Sequence, residues 1–196
     1  MTTEQTKPAG DSPKGVALRV NLSLGLEPHN DTRQQLINWP AQPFTPDFIV
    51  VTSGLAQIEL AGKLLGTKEG QVVTIAKGQE DAEVNCWWPD YIGGFALNLG
   101  RAVQALAEGS GQTRAKMIDE PVALLFHRQP GRSKIAVSFE TDGKMILTSE
   151  LPEAELRAQI SRCLDDFYEQ LLRLNYKLAR QTDIQQLKLL VQKLVG

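Results

Sequence analysis

The fold is decided by residues 121–178, which read PVALLFHRQPGRSKIAVSFETDGKMILTSELPEAELRAQISRCLDDFYEQLLRLNYKL. Apolar residues alternate with others from Val122 to Phe126 and again from Ile135 to Phe139. A period of two places alternate side chains on one face of a strand. The turn residues 129–132 separate these two strands, and a shorter apolar run follows at residues 145–147.

Pro152 then opens a long amphipathic helix, since proline is well tolerated at the start of a helix. The apolar residues of this helix recur every three or four positions and predict one buried stripe. The stripe consists of Leu156, Ile160, Cys163, Phe167, Leu171, Leu174 and Leu178. A sheet with one apolar face beside a helix with one apolar stripe predicts a hydrophobic core.

Further strands are predicted on the N-terminal side of this block. Residues 16–26 carry apolar side chains at every even position, which predicts a long strand that is wet on one face. Residues 48–51, 56–60 and 72–76 continue the extended pattern. Runs of strands, rather than strict alternation of strand and helix, favour an α+β fold with one antiparallel, curved sheet packed against the long helix.

Other segments are predicted to be loops, turns and helices. Residues 27–46 are predicted to be a loop anchored by Leu36, Ile37 and Trp39. Residues 61–63 are predicted to form a turn. A short helix between the strand groups is predicted after Gly93 and Gly94, with an apolar face of Phe95, Leu99, Ala102, Val103 and Leu106.

These elements predict one domain and two appendages. Residues 1–15 are polar and are predicted to be a disordered tail. Residues 16–178 form the predicted α+β domain, and residues 183–195 form an extra C-terminal helix capped by Thr182 or Asp183. That helix is expected to dock on its own domain, although it could also join copies of the chain into a homo-oligomer.

Composition excludes several classes of protein. The 196 residues carry a net charge of −2, so the basic excess that is typical of a nucleic-acid-binding domain is missing. The apolar runs are much shorter than a membrane span requires. Residues 1–15 lack the apolar core of a signal peptide, and Cys86 and Cys163 are far apart. We therefore expect a cytoplasmic protein that binds neither nucleic acid nor membrane.

The residues that commonly carry chemistry are sparse. No phosphate-binding loop is present, and a double glycine at positions 93–94 is more often a backbone requirement than an anion site. The two histidines, His29 and His127, have no metal-ligand spacing to either cysteine. We therefore expect no metal, no cofactor and no catalytic residue, and the protein is predicted not to be an enzyme.

Two candidate pairs of reactive side chains have structural explanations. Cys86 could act as a nucleophile only if the fold brought it to His127 or His29, and His127 is expected on a solvated strand face. Asp119 and Glu120 are adjacent and would point in opposite directions on an extended segment. A basic cluster of Arg128, Arg132 and Lys134 is interpreted as a solvated hairpin turn.

The aromatic stretch 87–91 is the best functional candidate. Successive strand residues face opposite sides, so Trp87 and Trp88 cannot both lie in the core if one sheet face is wet. One of them, together with Asp90 and Tyr91, is predicted to contact a protein partner, because Trp and Tyr are favoured interface anchors. Glu80, Asp81, Glu83 and Asp90 would form an acidic rim. The structural alternative, to which we give the greater weight, is that the loop 27–46 or the last helix covers the second tryptophan.

Residues 93–174 also carry a resemblance to known proteins. Gly-Gly-Phe at 93–95 is followed by a short helix, Asp119-Glu120-Pro121, an alternating hairpin and Leu151-Pro152 before the long helix. This order resembles small uncharacterised bacterial α+β proteins, some of which are grouped with the immunity proteins of polymorphic toxin systems. The resemblance implies a non-enzymatic binding role.

The sequence therefore predicts a protein-interaction module, either an immunity-type inhibitor or a subunit of a bacterial assembly. The alternative is a small-ligand-binding protein or an enzyme of unfamiliar type, with a pocket near Trp87, Cys86 and His127.

Overall fold

The computed structural model describes residues 20–26, 31–38, 52–76, 78–79, 82–129, 131 and 133–196. The predicted tail, Trp39, residues 16–19 and the predicted strand at 48–51 lie outside these residues. The strands are β1 Val20–Leu26, β2 Ser53–Leu60, β3 Lys63–Lys68, β4 Gln71–Ala76, β5 Trp88–Tyr91, β6 Gln112–Lys116, β7 Val122–Arg128, β8 Lys134–Thr141 and β9 Lys144–Pro152. The helices are α1 Asp31–Asn38, α2 Ile92–Ala107, α3 Glu153–Leu174 and α4 Thr182–Val195, with a 3-10 helix at Tyr176–Arg180.

Strands β1 to β5 form an antiparallel sheet in which two strands share one edge of β2. β1 pairs with residues 54–60 of β2, from Val20 opposite Leu60 to Leu26 opposite Gly54. On the other edge, β3 pairs with the end of β2 and β5 pairs with its beginning. We call the place where β2 changes partner the strand fork.

Strands β6 to β9 form a second antiparallel sheet in sequence order. The register of β8 and β9 shifts between Phe139 and Glu140, which marks a β-bulge. The predicted α+β class is confirmed, but the described strands form two sheets where the sequence predicted one. Helix α2 lies between the two groups of strands along the chain and separates them.

The core lies between the sheets and helices α2, α3 and α4. The predicted stripe of α3 is buried at Leu156, Ile160, Cys163, Phe167 and Leu171. Leu178 is also buried, but the long helix ends at Leu174 and Leu178 belongs to the 3-10 helix. Asn175 interrupts the helix because its backbone is extended and its side chain caps the next turn.

Helix α2 begins at Ile92 and therefore includes Gly93 and Gly94, which were predicted to precede it. Both glycines are buried in its first turn. Helix α2 ends at Ala107, and Gly109 follows with φ +107°. The helix ends there because the N–H groups of Gly109 and Ser110 donate to the carbonyls of Leu106 and Ala105, and the left-handed backbone suits glycine.

Helix α4 packs on α2 and α3 of its own chain through Ile184, Leu187, Leu190 and Leu194, which are all buried. Gly100 of α2 permits this close approach, since a Cβ there would lie 2.9 Å from Leu190 Cδ1. The apolar stripe that could have joined copies of the chain is thus buried within one chain.

The cap of α4 differs from the prediction. The N-cap is Gln181, whose Oε1 accepts hydrogen bonds from the backbone N–H groups of Asp183 and Ile184. Neither Thr182 nor Asp183 fills the predicted role, because both already have helical positions within α4.

Part of the loop predicted at 27–46 is the helix α1. Leu36 is buried as predicted, and its carbonyl accepts a hydrogen bond of 3.1 Å from Asn175 Nδ2. Ile37 is 36% exposed, so the prediction that it anchors the segment is wrong. None of the described helices is long and apolar enough to cross a membrane.

Candidate protein-interaction site

Trp88 is the anchor of the segment that crosses the strand fork. Its indole Nε1 donates a hydrogen bond of 3.0 Å to the carbonyl of Leu65 in β3. Its ring centroid lies 5.5 Å from that of Phe139 in the second sheet. The side chain is only 4% exposed and therefore joins both sheets in one core.

Trp87 points to the opposite face, as alternation along an extended segment requires. It is 40% exposed, and its backbone N–H donates to Asn85 Oδ1 at 3.0 Å. Asn85 is itself paired with Thr67 of β3 through two backbone hydrogen bonds of 2.8 and 2.9 Å. The backbone of the exposed Trp87 is therefore held on one side by the pairing of Asn85 with Thr67 and on the other side by the buried Trp88.

Gly66 of β3 allows the segment that contains Val84 and Asn85 to approach the strand closely. A Cβ at Gly66 would lie 2.6 Å from the carbonyl oxygen of Asn85 and 2.9 Å from Val84 Cγ1. Glycine is thus required at this position for Asn85 to pair with Thr67.

A groove of about 420 Å³ lies beside Trp87 on the outer face of the first sheet. We call it the tryptophan groove, and its lining is Gln57, Leu64, Ala82, Val84, Asn85, Cys86 and Trp87. Leu64 and Val84 supply apolar surface, while Gln57 and Asn85 supply amide groups that can both donate and accept hydrogen bonds. This combination suits a peptide segment, because its apolar side chain could contact Leu64 and Val84 while its backbone forms hydrogen bonds with the amide groups.

Asp90 has a structural role instead of the predicted contact with a partner. It is 5% exposed, and its carboxylate accepts hydrogen bonds from the backbone N–H groups of Ile118 and Asp119 at 2.8 to 3.0 Å. It thereby fastens the loop that follows β6 to the end of β5. Its buried position also removes it from the predicted acidic rim.

Of the four residues predicted to bind a partner, only Trp87 lines the tryptophan groove. Trp88 and Asp90 are buried, and Tyr91 is half-buried at the start of α2, where it lines a separate pocket of about 250 Å³. Of the rest of the predicted rim, Glu83 is paired with Lys68 at 2.6 Å. Glu80 and Asp81 lie outside the described residues.

The structure does not bring Cys86 and His127 together. Cys86 lines the tryptophan groove, while His127 lies exposed on β7 of the other sheet and is not part of that lining. The pocket predicted from Trp87, Cys86 and His127 therefore forms without the histidine. His29 lies outside the described residues.

The thiol of Cys163 is unreactive near neutral pH. Burial of Cys163 within α3, with a smaller contribution from the negative charge of Asp166, raises the pKa of its thiol to about 12. A thiol with such a pKa stays protonated and is a weak nucleophile near neutral pH. Within the ranges that the structure describes, no group of three or more His, Cys, Asp or Glu residues is placed to hold a metal ion.

Arg128 was interpreted as part of a solvated turn, and this interpretation is wrong. Its guanidinium forms two hydrogen bonds with the carboxylate of Glu153 and donates a third, of 2.7 Å, to the carbonyl of Leu106 at the end of α2. Hydrogen bonding to Glu153 raises the pKa of Arg128 further above its ordinary value. Lys134 is exposed as predicted, and Arg132 lies outside the described residues.

Comparison of this chain with protein-family models, with curated proteins and with solved structures gives no match.

Proposed function

We propose that this chain is a non-enzymatic protein-interaction module that binds a protein partner through Trp87 and the tryptophan groove. The observation that carries the proposal is the exposure of a large aromatic side chain on a backbone held by hydrogen bonds. A rigid, exposed tryptophan beside a groove has the properties of an interface hot spot.

The energy available from Trp87 is substantial. Covering its exposed 40% would remove roughly 60–100 Å² of mainly apolar surface from water. At about 25 cal/mol per Å², this burial contributes roughly 1.5–2.5 kcal/mol to binding. Little side-chain entropy is lost in exchange, because tryptophan has only two rotatable bonds and its backbone is already fixed.

The kind of partner is proposed from the resemblance of residues 93–174 to small bacterial α+β proteins. This resemblance supports either an immunity-type inhibitor, which would bind a toxin, or a subunit of a bacterial assembly. We further propose a cytoplasmic location, which is supported by two cysteines that are not joined in a disulfide, a pattern typical of proteins in reducing compartments.

Affinity capture with matched variants tests this function. The wild-type chain, Trp87→Ala and Tyr176→Ala are each immobilised and exposed to an extract of the source cells. Tyr176 is a suitable control because it is an aromatic residue, 74% exposed, that lies in the 3-10 helix away from the groove. We expect a partner that wild type and Tyr176→Ala retain at physiological salt and that Trp87→Ala loses.

Two results would contradict the proposal. One is a set of retained proteins that is the same for all three chains. The other is the absence of any retained protein with the wild-type chain.

A small-ligand-binding protein is the second candidate, because the volume of the tryptophan groove falls within the range of small-molecule sites. Tryptophan fluorescence offers a test, and the variant Trp87→Phe identifies the part of the emission that comes from Trp87. A compound that shifts the emission of the wild-type chain and protects Cys86 from alkylation would favour this candidate. No shift across a chemically diverse set of metabolites would leave the protein partner as the better account.

A further inference from the structure

The side chain of Gln57 lies at the strand fork and lines the tryptophan groove. β2 pairs with β5 as far as Ala56 and with β3 from Ile58 onward, so Gln57 is the residue at which the strand changes partner. Ala56 and Ile58 are fully buried, and alternation along the strand therefore turns Gln57 to the outer face of the sheet. It is half-buried there and shares the groove with the exposed Trp87.

The hydrogen-bonding groups of the Gln57 amide are open to a ligand. Among the residues that the structure describes, none forms a hydrogen bond with this amide. A carboxamide carries two N–H donors and a carbonyl acceptor. A ligand that covered the amide without pairing both kinds of group would leave a desolvated polar group, which costs more than a typical hydrogen bond contributes. The occupant of the groove must therefore present a donor and an acceptor close together.

Asn85 adds a second amide to the groove, and its orientation is fixed. Its Oδ1 atom accepts the backbone N–H of Trp87 at 3.0 Å, while its own backbone is paired with Thr67. Because Oδ1 is engaged in this way, the Nδ2 group is the part of the Asn85 amide that remains to donate to a ligand. The groove therefore offers further donor capacity beside the complete amide of Gln57.

The charges around the groove disfavour an ionic occupant. The described residues that line it are all uncharged. Glu83, which is adjacent in sequence to two of them, is paired with Lys68 at 2.6 Å. Glu59, which lies on the same face of β2 as Gln57, is only 4% exposed and does not line the groove. An ionised ligand would lose its hydration without meeting an opposite charge in this lining, which is costly.

We propose that Gln57 determines the specificity of the tryptophan groove by pairing its amide with the main chain of an extended, uncharged segment of the protein partner. A residue of an extended strand presents its N–H and C=O groups on the same edge, so one residue can both donate to and accept from the amide. Apolar side chains of the segment would contact Leu64 and Trp87. In recognition of extended segments, main-chain hydrogen bonds give affinity and side-chain pockets give specificity. This proposal rests on the function proposed above and adds the conformation of the segment that the groove selects.

Displayed peptides test this proposal with the full chain. The probe is a phage library of random peptides of about seven residues, which span roughly 23 Å when extended. The library is selected on the wild-type chain at physiological salt. We expect enriched peptides that share an apolar residue at one position and share no charged residue. Their affinity should change by less than about twofold between low and high salt, because salt screens interactions between charges.

Ester replacement in the best peptide then tests the main-chain contact. Each backbone amide is replaced in turn by an ester, which removes one N–H donor at a time. One replacement should weaken binding to the wild-type chain at least about fivefold. The same replacement should change binding to Gln57→Met by less than about twofold, because this variant has a side chain of similar length without an amide. Gln71→Met, on β4 of the same sheet and outside the groove, is the matched control and should respond to the ester like wild type.

Several outcomes would overturn the inference. They are the failure to enrich any peptide, peptides that bind Trp87→Ala as tightly as wild type, and an ester effect that is equal in wild type and Gln57→Met. Peptides that Trp87→Ala loses but that no ester replacement weakens would overturn the role of Gln57 and leave the function proposed above intact. A captured partner that Trp87→Ala still retains would overturn both, so the two failures are distinguishable.

Discussion

Arg128 and Glu153 form a two-point ion pair that joins β7 to the first turn of α3. The bonds are 2.6 Å from Nη1 to Oε2 and 2.9 Å from Nη2 to Oε1. Because Nη2 also donates to the carbonyl of Leu106, one guanidinium ties together a strand, the start of α3 and the end of α2.

We expect Arg128→Gln to lower the free energy of unfolding by about 2 kcal/mol. Both side chains are less than one third exposed, so the loss leaves Glu153 and the Leu106 carbonyl poorly satisfied in a partly buried place. Arg128→Lys keeps the charge but cannot reproduce the planar fork, and it should recover only part of the loss. Urea unfolding measures both changes. A value for Arg128→Gln within about 0.5 kcal/mol of wild type, the range of ordinary surface substitutions, would show that the ion pair is not stabilising.

Gly54 provides a sharp test of the register of β1 and β2. A Cβ at this position would lie 2.3 Å from the carbonyl oxygen of Gly25, a distance that only a backbone shift can relieve. We expect Gly54→Ala to destabilise the fold by about 2 kcal/mol or more. Gly25→Ala is the control on the paired strand, where a Cβ would meet no atom within 4 Å, and it should change stability by less than about 0.5 kcal/mol. Equal effects of the two substitutions in thermal unfolding would contradict the register.

A substitution in the hairpin between β2 and β3 should make the protein more stable. Ala61 has φ +52° and is followed by Gly62 at +73°, while the corresponding hairpin between β8 and β9 uses Asp142 at +49°. Left-handed backbone is unfavourable for alanine and better tolerated by Asn or Asp. We therefore expect Ala61→Asn to raise the free energy of unfolding by about 0.5–1 kcal/mol and Asp142→Ala to lower it by a similar amount. A loss of stability in Ala61→Asn would contradict the observed turn.

Burial of Cys163 predicts a dependence of stability on pH. The folded-state pKa of this thiol, about 12, lies above its ordinary value of 9.0. Above about pH 9 the unfolded state loses a proton that the folded state keeps, so the thiol destabilises the fold as pH rises, by about 1.4 kcal/mol per pH unit.

The variant Cys163→Ala isolates this contribution from other groups that titrate at high pH. At pH 7 it should be less stable than wild type, because it leaves a small cavity. Its deficit should stay constant from pH 7 to 8 and shrink between pH 9 and 10.5. A deficit that is constant up to pH 10.5 would mean that the thiol ionises equally in the folded and unfolded chains.

Much of the fold could be predicted from local periodicity. The alternating apolar residues of β7 and β8 and the stripe of α3 identify their elements because each pattern reports one buried face. The confirmed turn at Ala61 and Gly62 follows from the same local chemistry. The C-terminal end of α3 and the N-terminal end of α4 were harder to predict. They depend on side-chain hydrogen bonds of Asn175 and Gln181, which no periodicity reveals.

The division into two sheets could not be predicted from one sequence. Strand pairing depends on contacts between distant residues, and the bridge from Asn85 to Thr67 has no local signature. The role of Arg128 could not be predicted for the same reason, because its partners Leu106 and Glu153 lie far from it along the chain. These long-range contacts are the ones that composition and spacing leave undetermined.

The different burial of the two neighbouring tryptophans was predicted in part. Alternation correctly separated Trp87 from Trp88, but it could not say which tryptophan is exposed. That choice depends on Leu65 and Phe139, which hold Trp88 in the core. Asp90 gave no sequence signal of its role, because its partners are backbone N–H groups of a loop that follows a different strand.

The affinity of the captured partner for wild type, Trp87→Ala and Tyr176→Ala tests the central claim most directly. We expect Trp87→Ala to raise Kd at least about 30-fold, which corresponds to about 2 kcal/mol, because hot-spot tryptophans contribute at least this much. Tyr176→Ala should leave Kd within about twofold of wild type, and both variants should unfold at the same urea concentration as wild type. If Trp87→Ala binds the partner as tightly as Tyr176→Ala does, the tryptophan groove is not the interaction site.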